Sequence, residues 1–143
     1  MKKNTILIVV LAIFVVVIGG LFYVSSSKTP SASSAQKSEV LASNYITYTP
    51  AAFADAKNEG RTLLFFWAPW CGTCSFLDDE IKKRNSELPQ DLTILRTNYD
   101  TETDLKNKYG IVFQHTLVQV NKDGSEVKKW IGGGVDLLKQ QIK

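Results

Sequence analysis

Two cysteines and one histidine are all that this 143-residue chain contains of those residue types. With so few cysteines the chain cannot carry the disulfide scaffold of small secreted domains. A bridge between Cys71 and Cys74 would close only two intervening residues and remove little entropy from the unfolded chain. A zinc site is the main rival use of the pair, but Cys-x2-Cys supplies only half of a tetrahedral set and His115 is the single imidazole, so a carboxylate or a second subunit would have to complete it. There is no phosphate-binding glycine loop: Gly132-Gly133-Gly134 follows an apolar segment but lacks the Gly-x-Gly-x-x-Gly spacing. The chain has no internal repeat. Beyond residue 40 it also has no charge excess, because Lys2, Lys3, Lys28 and Lys37 against Glu39 account for the whole net charge of +3. A neutral domain offers no electrostatic footprint for nucleic acid.

Charge is missing altogether from Ile6 to Val24, an apolar run close to the roughly 20 residues that a helix needs to cross a bilayer. It is longer than the apolar region of a secretory signal, and no small-x-small cleavage pattern follows closely, so the expectation is an uncleaved transmembrane anchor over 6–24. No cysteine follows the run at which a lipid could be attached. Lys2, Lys3 and the α-amino group favour a cytoplasmic tail at 1–5 and an extracytoplasmic remainder. Residues 25–43 are rich in serine and alanine and lack aromatics, the composition of a flexible tether.

From residue 44 the pattern changes to short strands alternating with helices. Asn44 to Tyr48 is a short strand, and Thr49-Pro50 caps and opens a helix running to about Asn58, stopped by Gly60. Thr62 to Trp67 is a nearly continuous apolar run, as in a strand buried on both faces. After Cys74, Leu77, Ile81, Arg84 and Leu88 mark a helical stripe. The pairs Asp78/Lys82, Asp79/Lys83 and Glu80/Arg84 read as its solvated face. A strand at Leu92–Asn98, a polar helix at Thr101–Tyr109 closed by Gly110, strands at Thr116–Val120 and Glu126–Ile131 joined through Asp123-Gly124, and a last helix at Val135–Ile142 complete the reading. The order is β-α-β-α-β-α-β-β-α.

Trp67-Ala68-Pro69-Trp70-Cys71-Gly72-Thr73-Cys74 places both cysteines at a strand-to-helix junction. With Asn98-Tyr99-Asp100, Tyr109-Gly110-Ile111, Asn121-Lys122-Asp123-Gly124 and Gly132 in the same order, the segment from about residue 45 to 143 resembles the thioredoxin family. The resemblance implies an α/β domain at 44–143, thioredoxin-like, with a central mixed sheet flanked by helices. It also implies a thiol–disulfide oxidoreductase acting on protein disulfides through the Cys71/Cys74 pair, with no bound cofactor. Cys71, just before the first turn of its helix, is the expected nucleophile, because unpaired N–H groups and the helix dipole favour its thiolate; Cys74 resolves the mixed disulfide. Trp70, Gly72, Thr73, His115, Thr116 and Gly132 are the expected neighbours. Trp70 offers a flat apolar surface to clients, whereas Trp67 and Trp130 are read as packing residues.

Three positions depart from the family pattern. Phe65 stands where the family keeps a buried aspartate, with Arg96 in place of that aspartate's usual lysine neighbour, so the buried acid–base pair is expected to be missing. Counted from Asp100, His115 takes the place of the family's cis-proline, and since a cis bond before a non-proline residue costs about 2.5–4 kcal/mol, a trans Gln114–His115 bond is expected. Its imidazole is a candidate base or cation for the dithiol, against the plainer reading of a side chain that only packs. Thr73 replaces a proline between the cysteines. Taken together, these features suggest a monomeric, membrane-anchored, extracytoplasmic protein, more a reductase than an oxidase, fed with electrons by a thiol-relaying membrane partner. The alternatives are a non-catalytic binding module with a static disulfide, and a metal-binding or delivery protein using Cys71, Cys74 and His115.

Overall fold

The computed structural model describes residues 37–143. The expected cytoplasmic tail, the anchor at 6–24 and most of the tether lie outside the described residues. Among those described, no helix is long and apolar enough to cross a membrane.

The chain forms β1 (Val40–Ala42), β2 (Tyr45–Thr47), α1 (Pro50–Glu59), β3 (Arg61–Trp67), α2 (Gly72–Lys83), a single 3₁₀ turn at Asn85–Glu87, β4 (Leu92–Asn98), α3 (Thr103–Tyr109), β5 (Thr116–Val120), β6 (Glu126–Ile131) and α4 (Val135–Gln141). The six strands make one mixed sheet in the order β1-β2-β4-β3-β5-β6, with β4 parallel to β2 and β3, and β5 antiparallel to β3 and β6. The fold is the expected thioredoxin-like α/β arrangement.

β3 sits at the centre because Thr62 to Phe66 have no exposed surface on either side. Leu63 and Phe65 point to one face and pack with Leu77 and Ile81 of α2 and Val135 and Leu138 of α4. Leu64 and Phe66 point to the other and pack with Phe53 of α1 and Leu105 and Tyr109 of α3. Such alternation over an apolar strand is what a sheet covered on both faces demands. α1 starts as the sequence implies: the Thr49 side chain accepts the Ala52 N–H at 3.1 Å, and Pro50 occupies the first turn, where its missing N–H costs nothing.

The structure corrects three expectations. The sheet begins before residue 44, inside the stretch read as tether: β1 turns back on β2, Thr47 N–H donates to Glu39 O at 2.8 Å, and Leu41 and Ala42 pack on the core. A three-residue strand is too short to show a period, so composition alone hid it. The helix α2 ends at Lys83, and Leu88 reaches the core only after the 3₁₀ turn.

The third correction concerns the supposed solvated face of α2, which is not solvated at its first acid. Asp78 is buried, accepts the Tyr45 hydroxyl at 2.6 Å and is paired with Lys82 and with Arg96, the latter at 3.5 Å. The acid–base pair of position 65 is missing as expected, and the partly buried Arg96 pairs instead with an acid from the helix. Position 65 has no part in it. Asp79 and Lys83 form no ion pair, while Glu80 pairs with Arg84 at 3.4 Å. Burial and the neighbouring carboxylate push the Tyr45 phenol far above its ordinary range, so its proton stays on Tyr45 as the donor.

Removing one member of this cluster tests its weight. Asp78→Ala leaves the Tyr45 hydroxyl and Arg96 facing a void and is expected to destabilise the chain by about 3 kcal/mol, the low end for a broken buried pair, since Arg96 keeps Glu39 nearby. Tyr45→Phe leaves Asp78 with two cations and should cost about 1.5 kcal/mol. Urea unfolding of the two variants measures both; an equal or reversed order would contradict the assignment.

Candidate active site

β3 runs into the loop Ala68–Trp70, and α2 starts at the next residue but one, so both cysteines sit at the carboxyl end of the central strand. Cys71 is the N-cap of α2: its backbone is extended, at φ −93° and ψ 102°, and its Sγ accepts the Cys74 N–H at 3.1 Å. The Thr73 hydroxyl lies 3.5 Å from the same sulfur, a donor that a proline at this position could not supply. Cys71 and Cys74 are joined in a disulfide with their Cα atoms 5.2 Å apart. Cys71 is nearly buried and Cys74 completely so. Released as a thiolate, Cys71 has two donors and the positive end of α2 to stabilise it, whereas an anion at Cys74 would be desolvated.

His115 lies beside them. Its ring and the two sulfurs present ligand-capable atoms that all fall within 4.8 Å of one another. The Gln114–His115 bond is trans, and His115 adopts φ +57°, in the left-handed region. That conformation costs an L-residue roughly 1–2 kcal/mol. Three hydrogen bonds offset it, each contributing about 0.5–1.5 kcal/mol: His115 N–H to Phe66 O at 2.8 Å, Gly132 N–H to His115 O at 2.9 Å, and the ring to Gly133 O at 3.1 Å. Because Gly133 O is a carbonyl, the ring bond requires a proton on Nε2 and leaves the lone pair of the neutral imidazole on Nδ1. Burial pulls the His115 pKa below its ordinary value, and the Gly133 carbonyl, by favouring the cation, opposes this only in part. The side chain is therefore neutral at pH 7.

The glycine run that follows β6 is the holder of this histidine. Gly132 and Gly133 have φ of +79° and +91°, and a Cβ on Gly133 would collide with Leu137. A Cβ on Gly134 would collide with Glu80, whose Oε2 accepts the Val135 N–H at 2.9 Å and so caps α4, which has no side-chain cap of its own. Glu80 on α2 thus fixes the loop whose carbonyl orients His115. No local signal in the sequence marks Glu80 or Gly133 for this role, because Glu80 lies 55 residues from Val135 and Gly133 lies 18 residues from His115.

The other expected neighbours fall around the same point. Thr116 is buried and its hydroxyl donates to Phe113 O at 2.6 Å, while Tyr99 OH donates to Val112 O at 2.8 Å, so the loop before His115 is tied at both exposed residues. Trp70 is exposed, donates from Nε1 to Asp100 at 3.0 Å and meets the Tyr99 ring edge-on. Gly72 opens the helix with open space around its Cα. Phe65 packs against the His115 ring, with centroids 5.7 Å apart, so two of the three departures from the family pattern touch each other. Trp67 and Trp130 pack against the core, and neither indole N–H finds a partner. Seven large apolar residues are exposed among those described. Five of them (Trp70, Phe76, Val112, Phe113 and Ile131) lie on the segments that converge on Cys71. Sequence reading identified only Trp70 among these, since exposure of an apolar side chain on a folded segment has no sequence signature.

A neutral buried histidine has a consequence for stability. The unfolded chain takes up a proton near pH 6.5, whereas the folded chain does so only at lower pH, so between those values unfolding binds protons and stability falls as the pH falls. Chemical denaturation from pH 7 to 5 should show this loss for the oxidised chain. His115→Asn, which tolerates the left-handed backbone, should flatten it; parallel profiles for the two proteins would contradict a neutral His115.

The Thioredoxin family model matches residues 44–143. Thioredoxin of Bacillus subtilis strain 168 is 33% identical over 84 residues, covering 59% of this chain and 80% of that protein. Thioredoxin of Mycobacterium tuberculosis strain H37Rv is 32% identical over 99 residues, covering 66% and 84%. Among solved structures, Trxlp from Edwardsiella tarda EIB202 superposes with a TM-score of 0.57 at 25% identity, over 68% of this chain and 97% of that one. With a cysteine pair at the N-terminus of a helix on this sheet and the family model spanning residues 44–143, the chain belongs to the thioredoxin family as a thiol–disulfide oxidoreductase.

Proposed function

We propose that this chain reduces disulfides of client proteins outside the cytoplasm, held at the membrane by residues 6–24 and resupplied with electrons by a thiol-relaying membrane protein. The observation that carries the exchange chemistry is the Cys71 sulfur at the N-cap of α2, with the Cys74 N–H directed at it. The Cys71 thiolate attacks one sulfur of the client disulfide, the client S–S bond breaks, and its second sulfur leaves as a thiolate. Cys74 loses its proton and attacks Cys71, the mixed disulfide breaks, and the client departs as a dithiol with the two electrons of the pair. The unprotonated Nδ1 of His115 is the nearby group able to take the Cys74 proton, a task for which Phe65 has no chemistry. The exposed apolar residues around Cys71 support a protein client rather than a small polar one.

One observation favours the opposite direction. The Thr73 hydroxyl and the Cys74 N–H both stabilise the Cys71 thiolate, and stabilising the reduced form makes a couple more oxidising. The reduction potential decides between the two. A value near or below about −270 mV supports the reductase, and one near about −180 mV or above supports client oxidation.

Cys71→Ser is expected to abolish reduction of a disulfide-bonded reporter protein, and Cys74→Ser to leave clients covalently attached to Cys71, recoverable from cells as mixed disulfides. If neither variant differs from the unaltered chain, the pair is a static bridge and the domain a binding module. A phosphatase reporter fused after Lys143 that is active only outside the cytoplasm tests the orientation, and an inactive fusion would overturn it. His115→Asn should slow reduction by about 10²-fold at pH 7, the low end of general-base effects, and should change the pH profile.

A further inference from the structure

His115 has a second capacity that disulfide exchange does not use. Its Nε2 donates to Gly133 O at 3.1 Å, which leaves the lone pair on Nδ1, and its ring belongs to a buried trio with the two cysteine sulfurs whose ligand-capable atoms all lie within 4.8 Å. Ligating histidines almost always give their second ring N–H to a backbone carbonyl or a carboxylate, which sets the tautomer and turns the lone pair to the ion. Here that outer contact is already made, and the carbonyl is fixed in turn by Gly132 on His115 O and by Glu80 on Val135. From this arrangement we propose that the reduced Cys71 and Cys74 thiolates and His115 Nδ1 form a three-ligand site for a thiophilic divalent cation of the zinc class, which masks the nucleophile until it is removed.

Size, charge and redox state agree with this. Zinc–sulfur bonds of about 2.3 Å and zinc–nitrogen bonds of about 2.0–2.1 Å put tetrahedral ligand atoms about 3.5–3.8 Å apart. The present spread closes to that with a shift of about 1 Å in the imidazole, while the sulfurs separate once the bond between them is gone. Two thiolates in a buried pocket would be costly alone, and a dication leaves the site with no net charge. Soft thiolate ligands select this ion class over magnesium or calcium. The fourth position is left for water.

The gate is the exchange reaction itself. A donor dithiol reduces the Cys71–Cys74 disulfide, giving up two electrons and two protons and becoming a disulfide. The ion then binds both sulfurs and releases the two thiol protons. When an incoming disulfide reoxidises the pair, its own sulfurs take the two electrons and two protons from solvent, and the ion leaves because disulfide sulfur carries no charge.

The full chain in detergent, reduced with a phosphine that is then removed, is titrated with zinc against a chromophoric chelator, with cobalt(II) as the optical probe of thiolate ligation. The proposal expects one zinc per reduced chain, none bound by the oxidised chain, and binding at least about a hundredfold weaker in His115→Asn. It also expects one equivalent of zinc to slow client reduction and a chelator to restore it. Because His115 is the single histidine, its Nδ1 ¹⁵N resonance in the unaltered protein reports ligation without any substitution. Absence of stoichiometric binding by the reduced chain, equal binding by the oxidised chain, or an Nδ1 resonance that zinc does not move would each overturn it. The binding titrations and the Nδ1 resonance do not depend on exchange with clients, so the two readings fail separately.

Discussion

Burial of β3 on both faces is the constraint from which the site follows. A strand covered by helices on each side cannot end in the interior, so the chain emerges at its carboxyl end and starts α2 there. The first residue with free N–H groups ahead of it is Cys71. The same strand supplies Phe66 O, which takes the His115 N–H and brings β5 and its preceding loop to the sulfurs. One buried strand therefore sets the nucleophile, the helix dipole behind it and the imidazole beside it.

The departures from the family pattern form one rearrangement. The acid absent at Phe65 reappears as Asp78 on α2, where Tyr45, Lys82 and Arg96 hold it. Phe65 itself packs against the ring of His115. Replacing proline by histidine exchanges a rigid peptide for a left-handed residue that needs its own supports, and the glycine run with Glu80 provides them.

Much of this fold was legible in the sequence. The spans Leu92–Asn98, Thr116–Val120 and Glu126–Ile131 were readable to the residue, because strands between clear turn signals leave little freedom in their ends. The Thr49 cap and the Cys71 position were readable because both depend on contacts only a few residues away. β1 was not, since three residues carry no period. The burial of Asp78 was not, because acid-before-base spacing looks the same on a solvated face as on one that meets Tyr45 and Arg96.

By itself the sequence determined a neutral α/β domain with one cysteine pair at a strand-to-helix junction and one histidine placed by alignment near it. Local spacing and composition carry that information. Tertiary structure alone decided that His115 turns its Nδ1 lone pair away from Gly133, that Glu80 caps a helix fifty-five residues further on, and that five apolar side chains on the segments carrying Cys71, His115 and Gly132 stay exposed. These facts depend on which distant segments meet, and no periodicity within either segment records its partner.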